Sequence, residues 1–337
     1  MTAAVQIGLA LQSDKGDGEY AALAALAEEH RFDVLSVYGD LLFQPPIYPL
    51  LEMARATSRV RLGAACWNPY TMHPYEIAGQ LAALQQASGG RAYLGLARGT
   101  WLAAIGLRPD RPIAHLREAV QVIRALLRGD GDGVDGTVFR LTPGTRLRYP
   151  RPAELPPVLI GTWGPATAAM AGEIADEVKV GGTANPAMIG VMREWLAPGL
   201  AAARRPAGAV GVVAGAVTVV DDDGAAARAK ARTEVAMYLT AVGPLDPTLE
   251  LPPDLLADVA RHVDAGEHER AGRLIPDDVL ELFAFSGTPD QVAAQAQALI
   301  DAGASRIEFG TPHGLTGRGG VELLGREVLP KLVRGCC

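Results

Sequence analysis

The chain is poor in cysteine, in positive charge and in long apolar runs, and each shortage removes a class of protein. Only three cysteines occur in 337 residues: Cys66 inside an apolar run, and Cys336 and Cys337 at the extreme C-terminus. They give no disulfide framework, so a reducing cytoplasm is the expected setting. The formal net charge is -7 and no basic stripe stands out, which leaves no electrostatic reason to expect nucleic acid or an acidic membrane surface as partner. No apolar run approaches the roughly 20 residues of a membrane span, and the opening MTAAVQIGLALQSD lacks a basic start. Catalytic markers are short too. HExxH, paired CxxC, GxSxG, a Walker loop and GxGxxG after a strand are all missing, and no lysine at a strand end has a Schiff-base setting. A metal site, a serine hydrolase, a Rossmann dehydrogenase and an aldolase therefore lack their signatures, and a small-molecule partner is favoured.

What is present is ample apolar sequence in a regular rhythm. Hydrophobic residues make up 49% and charged residues 20% of the chain, enough for a large core. Apolar runs at residues 5 to 11, 33 to 38, 59 to 66 and 91 to 97 alternate with helical patterns; in one of these Leu116, Val120, Ile123 and Leu127 share a face. The rhythm continues through residues 158 to 162, 177 to 182 and 209 to 220, and resumes at 306 to 310. Alternation of this kind implies βαβ units and a parallel sheet. Eight strands favour a closed (β/α)8 TIM barrel over an open sheet. Residues 221 to 285 break the rhythm with helical pieces and turns such as GPLDP, and read as a helical insertion after strand seven of a single domain, residues 1 to 337.

In this fold the active site lies at the C-terminal ends of the strands, so period-2 parity there is informative. In the second strand Leu35 and Val37 face the helices while Ser36, Tyr38 and Asp40 point inward, with Asp40 at the mouth. In the eighth, Ile307 and Phe309 face outward while Arg306 and Glu308 point in, and Gln12 shares the face of Gln6 at the end of the first. Asp40 and Glu308 are the candidate acids, although inward polar groups also serve as internal hydrogen-bond networks. The turn GTWGP (residues 161 to 165) sets glycines and a proline between the fifth strand and a helix, a plausible phosphate cradle at a helix N-terminus and also a common barrel turn. GGT (residues 181 to 183) follows strand six. The run GAACWNPYTMHP (residues 63 to 74) carries Trp67, Asn68 and His73, the histidine read as structural at a helix start.

Five blocks together carry a resemblance: ATSRVRLGAACWNPYTMHP, SGGRAYLGLARG, LREAVQVIRALLRG, IGTWGPATAAMAGEIADEV and SGTPDQV. In order and spacing the chain resembles the luciferase-like superfamily, and within it the F420-dependent oxidoreductases related to methylenetetrahydromethanopterin reductase. The resemblance covers most of residues 5 to 182 and 286 to 334. It implies a cofactor-binding barrel with a nonprolyl cis peptide at Ala65-Cys66 backing a deazaflavin ring. It also implies that Thr162, Trp163, Gly164 and Pro165 take the cofactor's phosphate, that Gly181 and Gly182 lie along its tail, and that Arg98 and Gly99 flank the ring, with Gly39 nearby. Two departures stand out. Gly39-Asp40 replaces the Asp-His that relatives carry after strand two, and Thr100 stands where several carry an acid after strand four, so the proton donor does not carry over.

The reading that follows is an F420-dependent reductase or dehydrogenase that moves a hydride between deazaflavin C5 and a C=C, C=N or C=O bond of a small organic substrate. Asp40 or Glu308 would supply a proton, and Gln12, Trp67, Asn68, Thr100 and Trp101 would line the substrate pocket. The alternatives are an FMN-dependent luciferase-like monooxygenase on the same barrel, and a non-catalytic cofactor-binding member, which the loss of both acid positions permits. A homodimer is the assembly the resemblance implies.

Overall fold

Each of the eight apolar runs forms a strand, and the strands pair only with parallel neighbours. In the computed structural model, which describes residues 4–335, the barrel strands are β1 (Gln6–Leu11), β2 (Val34–Val37), β3 (Arg61–Ala64) and β4 (Leu94–Ala97), with β5 (Val134–Asp135) and β6 (Arg140–Leu141) forming a separate antiparallel ribbon. The barrel continues with β7 (Val158–Gly161), β8 (Glu177–Gly181), β9 (Gly211–Val220) and β11 (Arg306–Gly314), and the short β10 (Ala284–Gly287) pairs with β9 outside the main path. The order β3-β2-β1-β11-β9-β8-β7-β4 brings β3 beside β4, where the bridges Leu62 to Ala92 and Trp67 to Leu96 draw the ring together. Cys336 and Cys337 lie outside the described residues.

Helices follow most barrel strands: α1 (Glu19–Glu29), α2 (Ile47–Ala56), α3 (Pro74–Ala87), α4 (Pro112–Arg128), α5 (Pro165–Ile174) and α6 (Ala187–Ala202). Local chemistry fixes several starts. His73 caps α3 by accepting a hydrogen bond from the Tyr75 amide, with Pro74 in the first turn. Between β9 and β10 run α7 (Gly224–Val242), α8 (Pro253–Asp264), α9 (His268–Arg273) and α10 (Asp277–Phe283), whose apolar residues, among them Val235, Leu239, Val259 and Phe283, form a core cluster of their own. α11 (Pro289–Asp301) opens with a capping box of Thr288 and Gln291, and α12 (Gly317–Leu323) follows β11.

Parity divides the strands as the sequence leads one to expect. Leu35, Val37, Ile307 and Phe309 are fully buried in the layer between sheet and helices. The opposite face fills the barrel with an unusual mixture. Val34, Tyr93, Leu159 and Val213 form a small apolar cluster inside it, and the remaining space is shared between charged side chains and glycines. Glu308 stands in register between Gly8 of β1 and Gly215 of β9. A Cβ at Gly8 would come 3.3 Å from its Cγ, and one at Gly215 would come 3.1 Å from its Cβ. Tyr93 likewise lies over Gly63, where a Cβ would be 2.5 Å from the ring. Gly63→Ala should therefore overpack the barrel and cost about 1–3 kcal/mol, read as a lower urea midpoint at unchanged slope.

Candidate functional site at the strand C-termini

The mouth of the barrel is shaped by a bulge after β3. There the Ala65-Cys66 peptide is cis, as the resemblance implies. The Ala65 amide donates to the Val37 carbonyl at 2.7 Å and the Trp67 amide to the Gly95 carbonyl at 2.9 Å, tying the bulge to β2 and β4. Two glycines make this approach sterically open. A Cβ at Gly39 would lie 2.2 Å from the Cys66 carbonyl oxygen, and one at Gly95 would lie 2.0 Å from that of Ala64. The Cys66 sulfur faces Gly161 across the mouth. Burial pushes this thiol up to about 12, against the pull of Lys179, so it stays protonated and is no nucleophile.

Trp67 corrects one expectation. Its side chain is turned away from the mouth into the outer core, only 2% exposed, and its indole N–H donates to Gln80 of α3 at 3.1 Å. The bulge reverses the inward parity here, so Trp67 packs the helix layer and lines no pocket. Asn68 stays at the rim, where its Oδ1 accepts from the Tyr70 amide at 2.8 Å and its side chain packs over Gly99, which has φ +82°. Arg98, Thr100 and Trp101 are exposed beside it.

Across the mouth, β7 leads into α5 through Thr162, Trp163 and Gly164. The Thr162 hydroxyl accepts from the Gly164 amide at 3.0 Å, and the Trp163 indole donates to the Gly181 carbonyl at 2.8 Å, joining the two glycine turns. Pro165 opens the helix, so the amides of Ala166 and Thr167 have no acceptor within it. Gly182, with φ +80°, packs against Tyr238 of α7, whose hydroxyl donates to the Phe283 carbonyl at 2.8 Å.

Below the mouth is a buried charge network. Ser36 Oγ donates to Glu308 Oε1 at 2.6 Å, Lys179 Nζ donates to Glu308 Oε2, and Arg306 Nε lies 3.4 Å from Oε1. Ser36 also shares a 2.7 Å hydrogen bond with the Tyr93 hydroxyl. Arg306 reaches Glu177 at 3.4 Å, as Arg61 does at 3.5 Å. Burial raises the Glu308 carboxyl, but Lys179 and Arg306 overcome it and hold the group below the usual carboxylate range. A carboxylate so held has no proton to give, and with no exposed surface it does not meet a ligand as an acid. Its expected role as proton donor does not fit this geometry.

Asp40 has the opposite electrostatics. It is open to solvent at the end of β2 but crowded by the walls of the mouth, and this desolvation raises its carboxyl, with Gln12 and Lys179 pulling the other way. Tyr38, one step deeper on the same face, has Lys179 Nζ 5.3 Å from its ring centroid. Burial, followed by the fields of Glu308 and Asp40, pushes its hydroxyl well above the ordinary value. Gln12 donates its backbone N–H to Thr311 at 2.9 Å, and its side-chain amide nitrogen is buried beside Asp40, whose carboxyl it helps hold down.

Lys179 and Tyr93 were not picked out from the sequence. Parity applied to EVKVG would have found Lys179, because Glu177, Lys179 and Gly181 alternate with the buried Val178 and Val180. His313 had no sequence signal. It follows a cis Thr311-Pro312 bond with φ +74°, and its Nε2 meets the Ala10 carbonyl at 3.2 Å. Among the described residues no group of His, Cys, Asp and Glu could hold a metal ion, and no helix is long and apolar enough to cross a membrane. An open groove of about 780 Å³ lined by Arg128, Arg148, Tyr149 and Arg151 lies outside the barrel near the start of β7 and contains none of these strand-end residues.

The chain belongs to the luciferase-like monooxygenase family, whose model matches residues 5–306. It is 30% identical to the 5,10-methylenetetrahydromethanopterin reductase of Archaeoglobus fulgidus over 97% of this chain and 100% of that one. It is 28% identical to the F420-dependent glucose-6-phosphate dehydrogenase of Nakamurella multipartita, covering 94% and 93%. Among solved structures it is similar to the coenzyme F420-dependent tetrahydromethanopterin reductase of Methanopyrus kandleri, with a TM-score of 0.85 and 26% identity over 98% of this chain and 100% of that one.

Burial lowers the His313 imidazole to about 4, with the charge of Lys15 adding to the effect. Its folded value lies below the ordinary 6.5, so the unfolded chain takes the proton first. The stability this histidine contributes is complete above pH about 6.5 and is lost as pH falls through about 4. His313→Asn, which tolerates the left-handed backbone, should flatten the fall in urea midpoint across that window.

Proposed function

We propose that the protein is an F420-dependent oxidoreductase acting on a small organic substrate. The observation that carries this reading is the bulge after β3, held between Gly39 and Gly95, which presents backbone and the Cys66 side of the barrel to the mouth instead of a large side chain. The residues fit a flavin-type cofactor. Gly39, Ala65, Cys66, Arg98 and Gly99 would seat the ring, Thr162, Trp163, Gly164 and Pro165 would lead its phosphate to the open amides of α5, and Gly181 and Gly182 would follow the tail. The relatives named as F420-dependent, the glucose-6-phosphate dehydrogenase and the tetrahydromethanopterin reductase of known structure, support the choice of cofactor.

When bound, F420 would give or accept a hydride at C5; a deazaflavin has carbon where a flavin has N5, which limits it to two-electron steps and disfavours oxygen activation. The chain's own part is to orient the substrate, exclude water and move one proton. Asp40 is the residue for the proton, since desolvation raises its carboxyl while it stays open to the mouth. The amide nitrogen of Gln12, beside Asp40, offers a donor to a carbonyl or imine there. Asn68, Thr100 and Trp101 would form the rim of the substrate pocket, and we place the reaction in a single barrel domain.

Titration of the purified protein with oxidised F420 and, separately, FMN, followed by quenching of cofactor fluorescence, tests the cofactor. Saturable micromolar binding of F420 with negligible FMN binding is expected; the reverse preference would make the protein an FMN-dependent monooxygenase. Tight F420 binding with no turnover on any acceptor would instead indicate a non-catalytic member. Once an acceptor is found, Asp40→Asn should lower kcat by about 100-fold or more while cofactor affinity changes little. Unchanged turnover would remove Asp40 from the mechanism.

A further inference from the structure

The charge network inside the barrel does not balance. Among the described residues it holds three cations, Arg61, Lys179 and Arg306, against two carboxylates, Glu177 and Glu308. The two arginines lie toward the base, where Arg61 also reaches Gln6 at 3.0 Å. Lys179 sits highest, its side chain 6% exposed, and among the described residues its Nζ donates one hydrogen bond although an ammonium carries three N–H groups. A surplus charge in a weakly polarisable interior is costly unless something of opposite sign comes near. Asp40 is open to solvent at the mouth and forms no ion pair with Lys179 among the described residues. The field of the surplus reaches the bulge, where Lys179 and Arg306 act on Cys66 against Glu308.

We infer that Lys179 is a positioning residue whose surplus charge favours the reduced, anionic form of a flavin-type cofactor at the barrel mouth over the oxidised form. Two-electron reduction raises the electron density of such a ring, and its pyrimidine edge carries the negative charge when a proton is left to solvent. Positive charge near that edge is a recognised way for a protein to tune a cofactor. The inference rests on the F420 reading and adds a redox role to it.

The test compares the dissociation constants of oxidised and reduced F420, without substrate, for the wild type, Lys179→Met, Lys179→Arg and the pair Lys179→Met/Glu308→Gln, which leaves no unpaired carboxylate. The ratio favouring reduced cofactor should fall at least tenfold in Lys179→Met, equivalent to a drop of about 30 mV in the bound two-electron potential, should recover in the double variant, where two cations again face one carboxylate, and should persist in Lys179→Arg. If the Met variants do not fold, Glu308→Gln carries the test in the other direction, since removing the partner carboxylate must raise the ratio. A ratio within twofold of wild type in folded Lys179→Met that still binds oxidised F420, or in Glu308→Gln where that variant stands in for it, overturns the inference. Failure of the wild type to bind F420 at all would instead overturn the cofactor reading.

Discussion

Glu308 and the groups gathered around it are the constraint on which the barrel interior depends. A carboxylate without exposed surface survives in a protein only if its oxygens are satisfied and its charge is met, and here Ser36, Lys179 and Arg306 meet it from three different strands. Those partners need volume. The flanking strands supply it by presenting Gly8 and Gly215 in register with Glu308. The ion pairs and the glycines are thus one arrangement: a larger residue at either glycine would press on Glu308 and displace the groups that meet its charge.

From that floor the mouth is built upward mostly out of main chain. The bulge after β3 is fixed by hydrogen bonds to Val37 and Gly95, and Gly39 and Gly95 accept its carbonyls at distances no Cβ would permit. Opposite, the Thr162 hydroxyl and the Trp163 indole tie the β7 and β8 turns together. Titrating side chains are few, and their electrostatics diverge. Cys66 and Tyr38 are pushed up, Glu308 is held down, and Asp40 alone combines access with a raised carboxyl. Neighbouring carboxylates driven in opposite directions by their surroundings are the usual means by which one site separates a fixed charge from a movable proton.

Much of this was legible because parallel strands buried on both faces still keep their period of two. Leu35 and Val37, and Ile307 and Phe309, announce the outer layer, and the residues between them announce the inner one. The reading failed where backbone departs from that period. Trp67 follows the bulge, where the extra residue turns its side chain outward, and a count along the strand places it wrongly. β10 and the β5–β6 ribbon are too short to show periodicity at all. Glu308 was placed correctly but given the wrong charge state, because a sequence shows that a carboxylate points inward without showing which cations it meets. Lys179, on a strand whose alternation is plain, was the cation to look for.

The division between a mouth made of backbone and a rim made of side chains has an evolutionary consequence. Thr100 and Trp101 stand exposed on the segment that follows β4. If they rim the substrate pocket as proposed, drift at such positions would change what the cavity admits without disturbing the glycines and carbonyls beneath it. On that reading a lineage would trade one acceptor for another through a few loop substitutions, while the backbone beneath is inherited nearly unchanged.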